Sequence, residues 1–140
     1  MAIRLPPTST DLGLLGLRLW IGAVGVVHGS QKLGAFGGPG VKGFAGFLES
    51  LRVPAPTLSA WMAILAELVG GAMIALGLWP RIAAIPFAFT MLTAWLTAHK
   101  GAFFAQTGGG EYPLTLAVIA LAIAVAGPGR FTITRFSKGA

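Results

Sequence analysis

The sequence predicts an all-α fold, a four-helix transmembrane bundle with a short interfacial helix between helices 1 and 2. Of the 140 residues, 55% are hydrophobic and only 10% are charged, and the mean hydropathy is +0.80. These values lie outside the range of ordinary soluble domains. Four segments are also continuously apolar over lengths near the ~20 residues that a helix needs to cross a bilayer. Because their hydrophobicity does not alternate, they favour helices over a membrane barrel.

The four predicted spans form a single membrane domain over residues 1–140. They cover approximately residues 12–33, 58–78, 82–99 and 111–127. Thr8 and Asp11 offer capping oxygens before the first span, as Thr57 and Ser59 do near the second. The first span is too long for a signal peptide and has no convincing cleavage site, so we expect it to stay attached.

Turn residues set the connections between the later spans. The short stretch Gly77-Leu78-Trp79-Pro80 predicts that the second and third spans are antiparallel neighbours. Pro86 predicts either a kink in the third span or its first turn. Gly127-Pro128-Gly129 ends the fourth span.

A second kind of helix is predicted between the first two spans, at approximately residues 41–51. Its apolar side chains recur at helical spacing: Val41, Phe44, Phe47, Leu48 and Leu51. Lys42 and Glu49 fall off this face, so the segment reads as an amphipathic helix lying in the membrane interface. Such a helix is well placed to cover whatever space the bundle encloses.

The excess of basic residues indicates lipid headgroups and membrane topology. Lys and Arg number 10 against 4 Asp and Glu, for a net charge of +6, but no base-reading module is visible and we expect no nucleic-acid binding. Four crossings place both termini on one side, with five basic residues there and four on the other: Arg4, Arg81, Arg130, Arg135 and Lys138 against Lys32, Lys42, Arg52 and Lys100. This bias predicts cytoplasmic termini and a multi-pass protein of the inner or plasma membrane.

The absence of cysteine restricts the chemistry. With no cysteine in the chain, there is no disulfide, thiolate metal site or dithiol exchange. Any redox reaction must then use a bound cofactor, a metal held by histidine and carboxylate, or a partner. No catalytic residue is identified, since Ser30 beside His28 lacks the setting of a triad.

Six ionisable residues stand out in this apolar chain. Arg18, His28 and Lys32 share one face of the first span with Gly22, Gly25 and Gly29, so that face must point into the bundle, away from lipid. We expect these glycines to let the backbone of a neighbouring helix come close. The other spans supply Glu67, His99 and Glu111. If the four spans alternate in direction across the membrane, the depth of each ionisable residue follows from its position in its span. The result is a funnel that narrows from one membrane surface toward the interior, with Glu67 about midway and Arg18 deeper still. The residues at the surface end are His28, Lys32, His99 and Glu111.

Each of these residues also has a plainer interpretation. Arg18 and Glu67 could neutralise each other as a structural ion pair, or Glu67 could carry a proton or contact a ligand. Lys32 could extend to the headgroups, and Glu111 could serve only as a charge at a helix N-terminus. A metal site of histidines and carboxylates has suitable ligand types, but no ligand spacing supports it, so we predict none.

The same residues, together with the glycine motifs, resemble the DoxX family of small four-helix membrane proteins. The similarity covers approximately residues 12–133 and rests on these features in order: Arg18, His28-Gly29-x-x-Lys32, Phe36-Gly37-Gly38, Glu67-x-x-Gly70-Gly71, Gly77-Leu78 with Arg81, His99, Glu111 and Gly127-Pro128-Gly129. One departure follows the last motif. Thr132-Ile133-Thr134 stands where the family pattern has a serine, an aliphatic residue and an aspartate.

The resemblance implies a link to membrane redox systems, because the family takes its name from a subunit of a thiosulfate:quinone oxidoreductase. The leading hypothesis is therefore an accessory redox component that binds a quinone-like or small amphipathic ligand among the six residues and receives electrons from a membrane or soluble partner protein. No covalently bound cofactor is implied. Two alternatives stay open: a proton-coupled small-solute transporter, which would require a homo-oligomer, and a purely structural partner subunit.

Overall fold

Residues 8–134 fold into five α-helices, which confirms the all-α prediction. The computed structural model describes residues 8–134. The helices are α1 (Ser9–Lys32), α2 (Gly40–Ser50), α3 (Pro56–Leu76), α4 (Pro80–Thr97) and α5 (Glu111–Ala126). Single 3-10 turns occur at Ala35–Gly37 and Ala105–Thr107, and residues 8–134 contain no strand.

The observed boundaries lie within three residues of most predicted ones. The first helix begins at Ser9 rather than at residue 12, because Thr8 and Asp11 form a reciprocal capping box. Asp11 Oδ2 accepts from Thr8 N at 2.9 Å, and Thr8 Oγ1 accepts from Asp11 N at 3.3 Å. Prolines at the start of α3 and α4 supply the fixed backbone angle that a first helical turn needs. Pro86 lies inside α4, which continues past it to Thr97.

The two described ends of the chain meet at one end of the molecule. Asp11, at the start of α1, accepts a hydrogen bond through Oδ1 from Arg130 N at 2.9 Å. Arg130 follows the end of α5. The opposite end of the molecule therefore carries the end of α1, the end of α4 and the α4–α5 connection.

Small residues let the helices pack closely. The α1–α3 interface is built on Gly22, Gly25 and Gly29 facing Gly71 and its neighbours. A Cβ on Gly25 would lie 2.7 Å from the Glu67 carbonyl oxygen, and a Cβ on Gly29 would lie 2.7 Å from Leu68 N. The prediction that these glycines permit a close backbone approach is therefore confirmed.

The core lies between α1, α3, α4 and α5. Phe87 is fully buried among alanines from both α4 and α5, while Ile21 comes from α1 and Ile74 from α3. The helices α3 and α4 pack against each other and are joined by only three residues, Gly77–Trp79. Helix α2 packs on α3 and, less extensively, on α1. It thus covers the side of the bundle near the end of α1.

Two of the five helices are long and apolar enough to cross a membrane, judged by length and composition among the described residues. These are α1, with 24 residues, and α3, with 21. Helix α5 is apolar but shorter, with 16 residues. The four crossings expected from the sequence therefore stay a prediction.

Candidate functional site

Arg18 lies at the end of the molecule that holds the chain termini, and its hydrogen bonds are structural. Its Nε donates to Ile74 O at 2.9 Å and its Nη2 to Ala75 O at 3.1 Å. Its Nη1 donates to the carbonyl oxygens of Pro128 and Phe131, each at 2.7 Å. The first two carbonyls belong to the last turn of α3, where Ile74 O also accepts from Gly77 N at 3.3 Å. Arg18 therefore ties that turn to the segment after α5.

These contacts correct two sequence expectations. The proposed ion pair between Arg18 and Glu67 does not form, because the guanidinium is taken up by four backbone carbonyls. Arg18 is also not the deep end of a single funnel. Lys32 lies fourteen positions further along α1, which corresponds to about 21 Å along the helix axis.

The other polar residues gather near the opposite end, around a cavity of about 110 Å³ that we call the inner cavity. Its ionisable lining combines residues from α1, α3, the end of α4 and the start of α5: His28, Lys32, Glu67, His99 and Tyr112. The remaining wall is apolar and includes Val24, Phe87, Met91 and Leu116. Four of the six residues predicted for the site thus line one cavity.

The charged centre of the inner cavity is an ion pair between α1 and α3. Lys32 Nζ lies 2.5 Å from Glu67 Oε2, and the two side chains are 17% and 4% exposed. Lys32 Nζ also lies 5.2 Å from the centre of the Phe44 ring on α2, a distance that permits cation–π attraction. The plainer interpretation of Lys32, a side chain extended toward headgroups, is therefore wrong.

The Glu67 carboxylate keeps hydrogen-bonding capacity. Oε2 is engaged by Lys32, while Oε1 makes no hydrogen bond within residues 8–134 and is not sealed from the cavity. A buried carboxylate with one free oxygen can accept a hydrogen bond from a ligand.

Two further rings, those of His28 and Tyr112, line the inner cavity beside the ion pair. The His28 and Tyr112 rings are 6.2 Å apart between centroids and tilted by 45°. His99 Nδ1 lies 2.9 Å from Gly108 O. Since a carbonyl oxygen only accepts, Nδ1 must carry a hydrogen, and Nε2 of a neutral ring is then an acceptor. The cavity therefore offers both donors and acceptors.

Glu111 lies outside the inner cavity, contrary to expectation. Its Oε1 accepts from Ala105 N at 2.7 Å, which fixes the α4–α5 connection. Glu111 instead lines a separate, more open cavity of about 360 Å³ with Phe103 and Thr115. Helix α5 begins at Glu111, so its carboxylate also sits favourably at the positive end of the helix dipole. Within residues 8–134, no group of three histidine or acidic side chains is arranged to hold a metal ion.

Two features of the site were not predicted. Tyr112 is the single tyrosine of the chain, and its place directly after Glu111 at the start of a span was a signal that could have found it. The second feature is a larger opening of about 320 Å³ between α2, α3 and α4, which we call the outer groove. It shares four lining residues with the inner cavity: Lys32, Glu67, Ala94 and His99.

The part of the chain that carries the glycine contacts and most of the polar cluster matches a known protein family. The DoxX family profile matches residues 13–100, which contain most of α1, all of α2 to α4 and four of the five ionisable cavity residues. The chain belongs to the DoxX family. It is therefore a membrane protein, as the composition predicts.

Two curated relatives of the DoxX chain have similar lengths. "Putative oxidoreductase CatD" of Bacillus subtilis (strain 168) is 32% identical over 115 residues, covering 82% of this chain and 81% of the relative. "Inner membrane protein YphA" of Escherichia coli (strain K12) is 30% identical over 111 residues, covering 71% and 78%. No solved structure matches the chain.

The departure from the DoxX pattern after α5 has a structural role here. Thr132 is buried, and a Cβ on Gly77 would lie 2.7 Å from its Cα. Thr134 Oγ1 donates to Gly77 O at 3.0 Å. The threonines therefore dock the segment after α5 against the α3–α4 turn, far from the inner cavity.

Proposed function

We propose that α1, α3, α4 and α5 cross the membrane as a four-helix bundle, with α2 lying in the interface. The support is the outward face of these helices, where large apolar side chains are more than half exposed: Leu12, Trp20, Leu65, Ile82, Phe89, Val118 and Val125. A water-soluble monomer rarely exposes so much continuous apolar surface. Lipid chains would cover it.

Within that bundle, the inner cavity binds a quinone-like or other small amphipathic ligand, and the protein acts as an accessory component of a membrane redox system. The observation that carries this proposal is the convergence of His28, Lys32, His99 and Tyr112 on one cavity around the buried Glu67 side chain, in a chain with few other charges. Ionisable groups inside a membrane are costly, so a cluster of them favours a functional site over a purely structural one.

The chemistry of the cluster suits a ligand with carbonyl oxygens. Lys32 and Tyr112 can donate to such oxygens, and Glu67 and His28 can exchange the protons that reduction consumes. The cavity, at about 110 Å³, is comparable to the ~150 Å³ cavity that holds a benzene ring in another protein. The chain has no thiol, so electrons would come from a partner protein. The oxidoreductase name of the Bacillus relative agrees with this redox role.

Titration of the purified protein with a short benzoquinone tests the proposal. We expect saturable binding by calorimetry in lipid nanodiscs, and a loss of at least about tenfold in affinity, or ~1.4 kcal/mol, in His28→Ala and in Glu67→Gln. Glu49→Gln is the matched control, because Glu49 is exposed on α2 and lines neither space. Absence of saturable binding, or equal affinity in all variants, would refute the proposal.

A purely structural role is separated by a double variant. Lys32→Met/Glu67→Gln removes both charges together, and replacing a buried ion pair as a unit often costs little stability. We expect the double variant to keep its melting temperature within a few degrees and to lose ligand binding. Unchanged binding would favour a structural pair. The transporter alternative paired Glu67 with Arg18, and that pair is not formed.

A further inference from the structure

The outer groove is continuous with the inner cavity and differs from it in chemistry. The two spaces meet at Lys32, Glu67 and His99, and these three side chains are the only ionisable ones in the described lining of the groove. The rest of the groove is contributed by α2, α3 and α4, mainly through aromatic and aliphatic side chains such as Phe47, Met62 and Phe89. Polar character is thus confined to the inner end.

The hydroxyl groups of the groove do not alter this apolar character. Thr90, Thr93 and Thr97 each donate to the backbone carbonyl four residues earlier in α4, at 2.7 to 3.0 Å. Ser59 Oγ donates to Pro54 O at 2.7 Å. Because their hydrogens are already used, these groups cannot donate a hydrogen bond to an occupant.

The size and position of the groove indicate an occupant that comes from the membrane. At about 320 Å³ it is nearly three times as large as the inner cavity at about 110 Å³, and it reaches the lower end of the range for ligand sites. Several groove side chains are also highly exposed on the outside of the bundle, with Met62 at 59% and Phe89 at 67%. In a bilayer those side chains would face lipid.

We propose that the outer groove holds the apolar tail of the ligand whose head occupies the inner cavity. The ligand is then a lipid-tailed carbonyl compound, which enters sideways between α3 and α4 beneath α2. Its head contacts the Lys32–Glu67 pair at the junction of the two spaces. This inference rests on the proposed function and adds the substrate class to it.

Two quinones with the same ring, one bare and one carrying a decyl chain, test the inference. Ala63→Leu on α3 and Thr93→Leu on α4 each place extra carbon in the groove but not in the inner cavity. We expect each to weaken the decyl compound about tenfold and to change binding of the bare ring by less than about twofold. Comparing variants in the same nanodisc cancels partition of the tail into lipid. Ala122→Leu, on an exposed face of α5, should change neither.

The outcomes separate the two proposals. Unchanged binding of the bare ring also shows that the variants are folded. The tail site would be overturned if the variants bound both compounds as tightly as the wild-type protein does, or if they weakened both compounds equally. Either result would leave the head site standing. If neither compound binds the wild-type protein, the proposed function itself fails, and the tail site with it.

Discussion

Arg18 and Lys32 show how the same kind of basic side chain in one helix serves two purposes. Arg18 is 1% exposed and meets only backbone oxygens among its hydrogen-bond acceptors. Lys32 meets a carboxylate beside an open space. The planar guanidinium, with five donors, suits the joining of several carbonyls, whereas the ammonium is a point charge on a flexible stem. Arg18 therefore belongs to the stability of the fold and Lys32 to the site.

Replacing Arg18 by lysine should destabilise the protein even though the charge is kept. An ammonium cannot reach all four carbonyls that the guanidinium joins, and each lost bond from a charged donor costs about 1.5–3 kcal/mol. We expect a clear fall in the melting temperature of the detergent-solubilised protein. Arg52→Lys is the control, because Arg52 is exposed and makes no hydrogen bond through its side chain in the described structure. Equal melting temperatures would contradict the structural role of Arg18.

At the scale of elements, the glycines of α1 decide how closely α1 and α3 approach and so whether Lys32 can reach Glu67. Gly22 lies against Ala75 and the Gly71 carbonyl, where an added Cβ would lie 2.6 Å from each neighbour. Gly16, on the same helix, has nothing within 4 Å. The pattern of glycines predicted a close approach, but which helix would be approached was not visible in the pattern.

Gly22→Ala should therefore cost stability while Gly16→Ala does not. Overpacking against a backbone carbonyl costs about 1–3 kcal/mol, whereas alanine at an open helical site gains roughly 0.5–1 kcal/mol over glycine. Chemical or thermal unfolding of the two variants measures the difference. Gly22 lines neither the inner cavity nor the groove, so its effect on ligand binding reports only the helix spacing. A Gly22→Ala variant as stable as Gly16→Ala would mean that α1 and α3 are not so close.

At the scale of the whole molecule, the proposed ligand site and the contacts that fasten the chain ends lie at opposite ends. The end with the chain termini is fastened by Arg18, by the Asp11–Arg130 contact and by Arg81, whose guanidinium donates to the last carbonyls of α5 at 3.2 to 3.4 Å. The other end holds the inner cavity and the outer groove. A bundle fastened at one end can accommodate a ligand at the other without losing its helix packing.

Cysteine labelling tests the proposed crossings and their orientation. The chain has no cysteine, so single cysteines can be introduced at the exposed positions Thr10, Glu49 and Gln106. We expect Glu49→Cys and Gln106→Cys to react with an impermeant maleimide on intact cells, and Thr10→Cys to react only after permeabilisation. Reaction of Thr10→Cys and Gln106→Cys from the same side would contradict the four-crossing bundle. Reversal of all three would retain the bundle and invert its orientation.

The sequence by itself determined the helical class, the approximate helix boundaries and four of the residues that line the inner cavity. Hydrophobic runs, prolines and glycines are local signals, so they fixed the helices to within a few residues. The cost of polar groups in hydrocarbon identified His28, Lys32, Glu67 and His99 as interior residues, and they do share one cavity.

Only the tertiary structure decided which partners these groups take. Pairing depends on the depth and rotation of each helix, and both are set by side-chain packing across interfaces rather than by spacing along one helix. For this reason the sequence paired Arg18 with Glu67, whereas the structure pairs Lys32 with Glu67. It also placed Glu111 in the cavity, where the structure has Tyr112. The outer groove, which depends on how α2, α3 and α4 pack, was not predicted.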